Sequence, residues 1–373
     1  MRLFSDPAAS VAEPMLARAY RLAERGRGAT SPNPMVGCVL VREGAVVGEG
    51  FHERAGAPHA EAVALEAAGG RARGATAYVT LEPCNHHGRT PPCAEALVAA
   101  GVAEVVIGMP DRNPDVEGGG AQALSDEGVE VRFAEDPGPF EQLNEAWLKR
   151  TRTGLPWLDV KVALTLDGRP ALAAQRRTAI SSPEAARLTM RLRAAADAVA
   201  VGAATQRADD PLLTVRDEGG VPAARQPLRV VVCRTACPEP GARVLDPGLG
   251  PSLVLIPEDR PSGCDALSAS GVECETYPRA DGLLGALRAL SGRGLSRVLL
   301  EAGPGLFTSA WEDDLVDRLI LVHAGGVGGV SAPVLYLGQG SEAHGRLERE
   351  MRCVETGVLG PDAVTVWERR AAG

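Results

Sequence analysis

Aromatic residues are scarce in this chain, at 3 % of 373 positions, which argues against a surface that stacks the bases of single-stranded nucleic acid. Lysine is nearly absent: Lys149 and Lys161 are the only two, and the arginines that take its place form no long basic block. With a net charge of −9, the chain suits neither the phosphate backbone nor counterion release, so no nucleic-acid partner is expected. No run of eighteen apolar residues occurs, so no membrane span is expected. The N-terminus, Met1-Arg2-Leu3-Phe4-Ser5-Asp6-Pro7, lacks the apolar core of a secretory signal. Eight cysteines in so long a chain do not make a disulfide scaffold. Two are read as metal ligands and six as reduced thiols of a cytoplasmic protein.

What is present is an ordinary apolar content of 45 % and a length that exceeds one typical core, so two domains are expected. The break Asp136-Pro137-Gly138-Pro139, a helix over residues 140–149 and a basic, solvated linker place the boundary near 150. The expected domains are residues 1–150 and 151–373. In the first, helical spacing over residues 13–25 is followed by the rigid turn Ser31-Pro32-Asn33-Pro34. Strands are expected at 36–41, 45–51, 75–81 and 104–108, with helices at 60–68 and 94–100. Such alternation gives a three-layer α/β sandwich with helices on both sheet faces. In the second domain strands are expected at 157–166, 198–201, 227–233, 253–256, 297–300 and 319–322. Between them lie helices such as the one capped by Ser182-Pro183-Glu184, so this half is a second α/β domain.

Chemistry concentrates between Glu82-Pro83-Cys84 and Pro92-Cys93, read together with Pro58-His59-Ala60-Glu61. One imidazole and two thiolates are three ligands for a tetrahedral zinc, with the fourth position open to water as a catalytic site requires. His59 and Cys93 both fall at or near helix N-termini, where exposed N–H groups favour a thiolate. Glu61 lies two residues beyond His59, close enough to reach that water without being a ligand. His-x-Glu followed by Pro-Cys and a second Cys is the pattern of zinc nucleobase deaminases. In that chemistry Glu61 takes a proton from attacking water and returns protons to the ring nitrogen and the departing ammonia. Eight residues separate Cys84 from Cys93 where the common pattern has two, and this loop carries His86, His87 and Arg89.

Pro32-Asn33-Pro34, Val36-Gly37-Cys38-Val39, Pro58-His59-Ala60-Glu61, the 84–93 loop and Asp111-Arg112-Asn113-Pro114 resemble the deaminase half of the bifunctional riboflavin-biosynthesis deaminase/reductases. The resemblance implies a cytidine-deaminase-like fold, one zinc per chain and a diaminopyrimidinone substrate carrying a ribose phosphate. It also implies substrate contacts from Asn33, His52, His86, Arg89, Asp111 and Asn113. Of these, Arg89 suits the phosphate, and Asn33 and Asn113 suit ring edges. Taken singly these residues are ordinary: Asn33 a turn residue, Asp111 a cap, His52 a buried hydrogen-bonder.

Val160-Lys161, Leu166-Asp167-Gly168-Arg169, Leu192-Arg193-Ala194, Ala208-Asp209-Asp210-Pro211, Leu213-Thr214-Val215-Arg216 and Glu301-Ala302-Gly303-Pro304 are similar to the reductase half of the same family. That likeness implies a dihydrofolate-reductase-like domain using NADPH to open the ribose to a ribityl chain. Ala163, Thr205, Asp209 and the loop Gly303, Pro304, Gly305 and Leu306 would meet the nucleotide. Arg193, Leu213, Arg216 and Glu301 would meet the substrate, the two arginines being suited to its phosphate. On composition alone, Arg193 and Arg216 read as surface salt bridges and the Gly-Pro-Gly stretch as a turn. There are departures: Arg177, Ala179 and Cys233-Arg234 stand where the family has a serine–phosphate contact and an aromatic. They motivate an alternative in which residues 151–373 are a degenerate or retargeted assembly module behind a working deaminase. The remaining cysteines, Cys233, Cys237, Cys264, Cys274 and Cys353, are given no role. A homo-oligomer, dimer or tetramer, is expected.

Overall fold

In a computed structural model, which describes residues 2–85, 92–113, 119–172, 180–259, 264–338 and 346–370, the chain divides into two units, Met1–Gly154 and Leu155–Gly373. The first runs α1 (Pro14–Glu24), β1 (Gly37–Arg42), β2 (Ala45–Phe51), α2 (Ala60–Ala68), β3 (Thr76–Val79), α3 (Cys93–Ala100) and β4 (Glu104–Ile107). It continues with α4 (Gly120–Asp126), β5 (Glu130–Phe133), α5 (Gly138–Leu143) and α6 (Glu145–Thr153). Its five strands lie in the order β2-β1-β3-β4-β5. β1 is antiparallel to β2 and β3, while β3, β4 and β5 are parallel.

Strand alternation assigns the two faces of this sheet. Val105 and Ile107 join Leu40, Val79, Ala64, Leu97 and Leu124 in a core that includes residues of α2, α3 and α4. Val106 points the other way, into a core with Leu16, Tyr20, Phe140, Leu143 and Trp147 from α1, α5 and α6. Two glycines of β2 let α2 lie close. A Cβ at Gly48 would sit 2.3 Å from the Ala64 carbonyl oxygen, and one at Gly50 2.4 Å from that of Ala60. This close approach fixes the helix whose first turn carries Glu61.

The helix expected over 140–149 is two helices broken at Asn144, whose buried side chain is turned to other use. Residues 150–153, expected as linker, are the last turn of α6. The Thr153 hydroxyl donates to the Lys149 carbonyl at 2.8 Å, and Gly154 ends the helix in the left-handed region at φ 69°, a glycine C-cap.

The second unit runs β6 (Trp157–Leu164), α7 (Pro183–Ala195), β7 (Ala198–Gly202), α8 (Ala203–Asp209), β8 (Leu228–Val232), β9 (Ser252–Pro257), α9 (Cys264–Ala269) and β10 (Cys274–Tyr277). Then come α10 (Gly282–Gly292), β11 (Arg297–Glu301), α11 (Pro304–Glu312), β12 (Arg318–His323), α12 (Arg346–Glu350), β13 (Met351–Leu359) and β14 (Asp362–Arg369). Nine strands form one sheet, β10-β9-β8-β7-β11-β6-β12-β14-β13, parallel from β10 to β12 and closed by the antiparallel β13–β14 pair. Ser182 caps α7 as expected, its hydroxyl accepting from the Ala185 N–H at 3.2 Å. At the starts of β11 and β12, Arg297 donates to Asp159 at 2.7 Å and Arg318 to Glu368 at 2.7 Å, all four residues buried. Both guanidiniums lie over the Trp157 ring. One reading of the cysteines is corrected: Cys237 and Cys264 are joined in a disulfide, their Cα atoms 5.6 Å apart. The loop after β8 and the start of α9 bring together residues that nothing local in the sequence pairs.

Candidate active sites

His59 is the residue before α2, Cys93 opens α3, and Cys84 follows the end of β3. Two helix starts and one strand end therefore meet at a point. His59 Nδ1 lies 3.3 Å from Cys93 Sγ and 3.6 Å from Cys84 Sγ, and the three ligand atoms all fall within 4.8 Å of one another. A tetrahedral zinc with ordinary bond lengths separates its nitrogen and sulfur ligands by about 3.5 Å, so both nitrogen–sulfur separations fit the ion. The Cys93 N–H donates to Cys84 Sγ at 3.3 Å, a bond that favours the thiolate a metal needs. Cys84 is pulled down to about 4 by the hydrogen bond from Cys93, and Cys93 is pushed well up by the same contact and by burial. His59 is raised by its contact with Cys84.

Glu61, in the first turn of α2, is buried at 3 % exposure. Burial pushes its carboxyl up to about 7, with Cys84 adding to the rise and His59 opposing it. A carboxyl at about 7 beside the ligand group is suited to general acid–base work at neutral pH.

Asn33 and His52 stand beside this group. Asn33 Nδ2 is 3.1 Å from His52 Nε2, and His52 Nδ1 is 3.1 Å from the Pro58 carbonyl oxygen. A carbonyl only accepts, so Nδ1 carries the proton and Nε2 accepts from Asn33. The His52 ring meets His59 edge-on at 5.6 Å, and burial lowers its pKa. The turn holding Asn33 is pinned by Asn144, buried at 2 % exposure. Its Oδ1 accepts from the Met35 N–H at 2.8 Å and its Nδ2 donates to the Met35 carbonyl at 3.0 Å. No sequence signal pointed to Asn144, because its partner is 109 residues away. Asp111 and Asn113 follow β4, the Asn113 N–H donating to Asp111 Oδ1 at 2.9 Å. His86 and Arg89 lie outside the described residues, as do Arg177 and Ala179 of the second half.

In the second unit β11 lies between β6 and β7, and the chain runs outward to opposite sides of this group. Ligands of open α/β sheets sit at the carboxyl ends of strands where the order switches in this way. Glu301 ends β11 opposite Lys161 of β6, with Ala163 two residues further along β6. Arg193, reaching from α7, donates from Nε to Glu301 Oε1 at 2.5 Å, from Nη2 to Oε2 at 2.9 Å and from Nη1 to the Thr214 carbonyl at 2.8 Å. Arg193 is therefore a buried ion-pair partner of Glu301 and not a surface salt bridge. Burial raises Glu301, but Arg193 and Lys161 hold it below the usual carboxylate range. Burial also draws Lys161 down. Lys161 stood in the sequence as part of a strand and of the Val160-Lys161 match, without a role of its own, and its place beside Glu301 follows from strand register. Leu213, next to Thr214, is buried in the left-handed region at φ 54°. Arg216 follows Val215 in a short bridge to Pro222.

Of the expected nucleotide-binding residues, Thr205 and Gly303 come together. A Cβ at Gly303 would lie 2.2 Å from Thr205 Oγ1, and one at Gly202 would lie 3.2 Å from Leu306. The start of α8 after β7 thus abuts the start of α11 after β11. Pro304, Gly305 and Leu306 form the first turn of α11; Pro304 carries no N–H, and the N–H groups of Gly305 and Leu306 suit a phosphate. Asp209 is the last residue of α8.

A zinc ligand set with a buried glutamate on a mixed α/β sheet, followed by a second, largely parallel sheet with a site at its switch point, defines a two-domain deaminase and reductase. Comparison with known proteins gives the same division. Residues 9–109 match the cytidine and deoxycytidylate deaminase zinc-binding region, and residues 156–365 match the RibD C-terminal domain. The chain is 43 % identical to the riboflavin biosynthesis protein RibD of Escherichia coli, over 83 % of this chain and 86 % of that one. Against the RibD of Aquifex aeolicus it is 37 % identical over 82 % and 85 % of the two chains. The structure of Acinetobacter baumannii RibD superposes with a TM-score of 0.85 at 36 % identity, covering 95 % of this chain and 98 % of that one. That of a Thermotoga maritima diaminohydroxyphosphoribosylaminopyrimidine deaminase/5-amino-6-(5-phosphoribosylamino)uracil reductase gives 0.82 at 30 %, covering 96 % and 98 %.

The chain belongs to the RibD family of bifunctional riboflavin-biosynthesis enzymes. Its N-terminal fold is cytidine-deaminase-like and its C-terminal fold dihydrofolate-reductase-like. In this family the deaminase half holds zinc and the reductase half is NADPH-dependent. The alternative of a deaminase with a degenerate second module is set aside by the presence of both domains. No helix among the described residues is long and apolar enough to cross a membrane.

Proposed function

We propose that the first unit deaminates a diaminopyrimidinone ribose phosphate and that the second reduces the ribose of the product to a ribityl chain with NADPH. The observation that carries the reading is the convergence of His59, Cys84 and Cys93 beside buried Glu61, on a chain whose second unit matches the RibD C-terminal domain.

His59, Cys84 and Cys93 would hold the zinc, which when bound supplies Lewis acidity that brings water towards a neutral pKa. Glu61 accepts a proton from the attacking water and delivers protons to the ring nitrogen and the leaving amine, so that one water enters and one ammonia leaves. Asn33, held by His52, and Asn113 grip the ring edges, and His86, Arg89 and Asp111 complete the substrate contacts. In the second unit Thr205, Asp209, Ala163 and the Gly303 to Leu306 turn receive the dinucleotide. Arg193, Leu213, Arg216 and Glu301 receive the ribotide, Arg216 being suited to its phosphate. NADPH, when bound, would supply the hydride for C1; the ring oxygen released from C1 would then need a proton. Lys161, already drawn down by burial, is chemically suited to give it. The enzyme would work in the cytoplasm as a homodimer or homotetramer.

Incubation of the zinc-loaded enzyme with the pyrimidine ribotide, with and without NADPH, followed by mass spectrometry, tests this. Ammonia loss alone without NADPH, and a further gain of two hydrogens with it, is the expected result. Absence of the second mass change would overturn the reductase assignment.

A further inference from the structure

Glu82 lies between β3 and Cys84, and its main chain and side chain both hold other parts of the site. Its N–H donates to the Met109 carbonyl at 3.0 Å, tying it to the end of β4. Its carboxylate is split between two chain segments: Oε2 accepts from the Asp111 N–H at 3.1 Å and Oε1 from the Ala121 N–H at 2.9 Å. Asp111 in turn receives the Asn113 N–H. At the next residue, contact is closer still, since a Cβ on Gly120 would fall 1.8 Å from the Pro83 carbonyl oxygen.

A helix cap for α4 would need only one carboxylate oxygen. The second oxygen reaches the opposite flank, so one side chain two residues from Cys84 fastens both the stretch that leads to Asn113 and the helix that follows. Both bonds run from N–H donors to an acidic acceptor and are of the stronger, charge-assisted kind.

We propose that Glu82 is a positioning residue of the deaminase, setting Asp111 and Asn113 at a fixed offset from the zinc ligand Cys84 and so aligning the substrate ring with Glu61. This rests on the reading of Asn113 as a ring contact. The chemistry asks for a carboxylate: a glutamine offers one acceptor oxygen and turns an N–H group towards the other N–H donor. A site misaligned by a fraction of an ångström loses both binding and rate.

The test is steady-state ammonia release by the full-length, zinc-loaded enzyme on the pyrimidine ribotide, for Glu82→Gln, Glu82→Ala, Asn113→Ala and the Glu82→Ala/Asn113→Ala double variant, with zinc content measured on each. Glu82→Ala is expected to raise KM about tenfold and Glu82→Gln by less, with one zinc per chain retained. Because both residues act through one contact, the double variant should be little worse than Asn113→Ala alone. A merely structural role would lower kcat by depleting active enzyme and leave KM unchanged, and that outcome overturns the proposal. Effects that multiply independently in the double variant overturn it as well. If Asn113→Ala leaves KM unchanged, the ring contact itself is wrong, a result distinct from a failure of Glu82 with Asn113 intact.

Discussion

Arg193 and Glu301 form a two-pronged ion pair at the carboxyl end of β11, with Nε and Nη2 of the arginine on the two oxygens of the carboxylate. Their side chains are 8 % and 20 % exposed, and Nη1 is committed to the Thr214 carbonyl. The pair therefore fixes the strand that carries Lys161's neighbour to the segment that carries Leu213 and Arg216. Removing one partner strands the other in a largely dry site.

Glu301→Gln should abolish NADPH consumption with the deaminated ribotide while leaving ammonia release by the first unit intact. The pH profile of stability carries a second signature. Glu301 is held below the usual carboxylate range, so it stabilises the fold above the unfolded value of about 4.3 and that contribution is lost as pH falls through the lower, folded value. Denaturant midpoints of wild type and Glu301→Gln should therefore approach each other as pH falls below the unfolded value and through the lowered, folded one. Parallel curves down to acid pH would contradict the ion pair.

Glu61→Gln should bind zinc and fold as wild type yet release ammonia about 10²–10⁴-fold more slowly. Normal turnover by this variant would show that the proton shuttle is another group.

Zinc affinity should depend on pH. The metal-free site holds a proton on Cys93 far above the ordinary thiol range and favours one on His59, whereas ligands must shed their protons to bind. Competition with a chelator of known affinity should show binding weakening by roughly tenfold per pH unit for each proton displaced as pH falls. An affinity flat between pH 8 and 6, on the order of two units of titration, would mean that the ligand set is different.

Asp159 is the shared acceptor of Arg297 and Arg318 in the second unit, and Asp159→Ala takes from buried Arg297 the carboxylate 2.7 Å away while Arg318 keeps Glu368. A loss of about 3–5 kcal/mol is expected, seen as a fall in the melting temperature of that unit of about 10 °C. A change of about a degree, well under one kcal/mol, would show the network to be dispensable.

Much of the deaminase site could be read from the chain because its chemistry is local. His59 and Glu61 sit two residues apart at a helix start, and Cys84 and Cys93 flank one loop. What escaped was held by long-range contacts. Asn144 acts on Met35 across the sequence, and its own position breaks a helix that spacing alone would run through. The Cys237–Cys264 pair spans 27 residues with no motif around it. The β13–β14 hairpin was missed because β13 is an edge strand with exposed and half-buried residues along most of its length, where no apolar alternation is required. Arg193 read as a surface ion pair because only the fold shows that its partner ends a central strand.

X-ray absorption at the zinc edge of the purified enzyme tests the central claim most directly. The account predicts one zinc per chain with two sulfur neighbours at about 2.3 Å and nitrogen or oxygen neighbours at about 2.0–2.1 Å, and loss of one sulfur or of the metal in Cys84→Ser. A chain without zinc, or a zinc surrounded by sulfur alone, would contradict it.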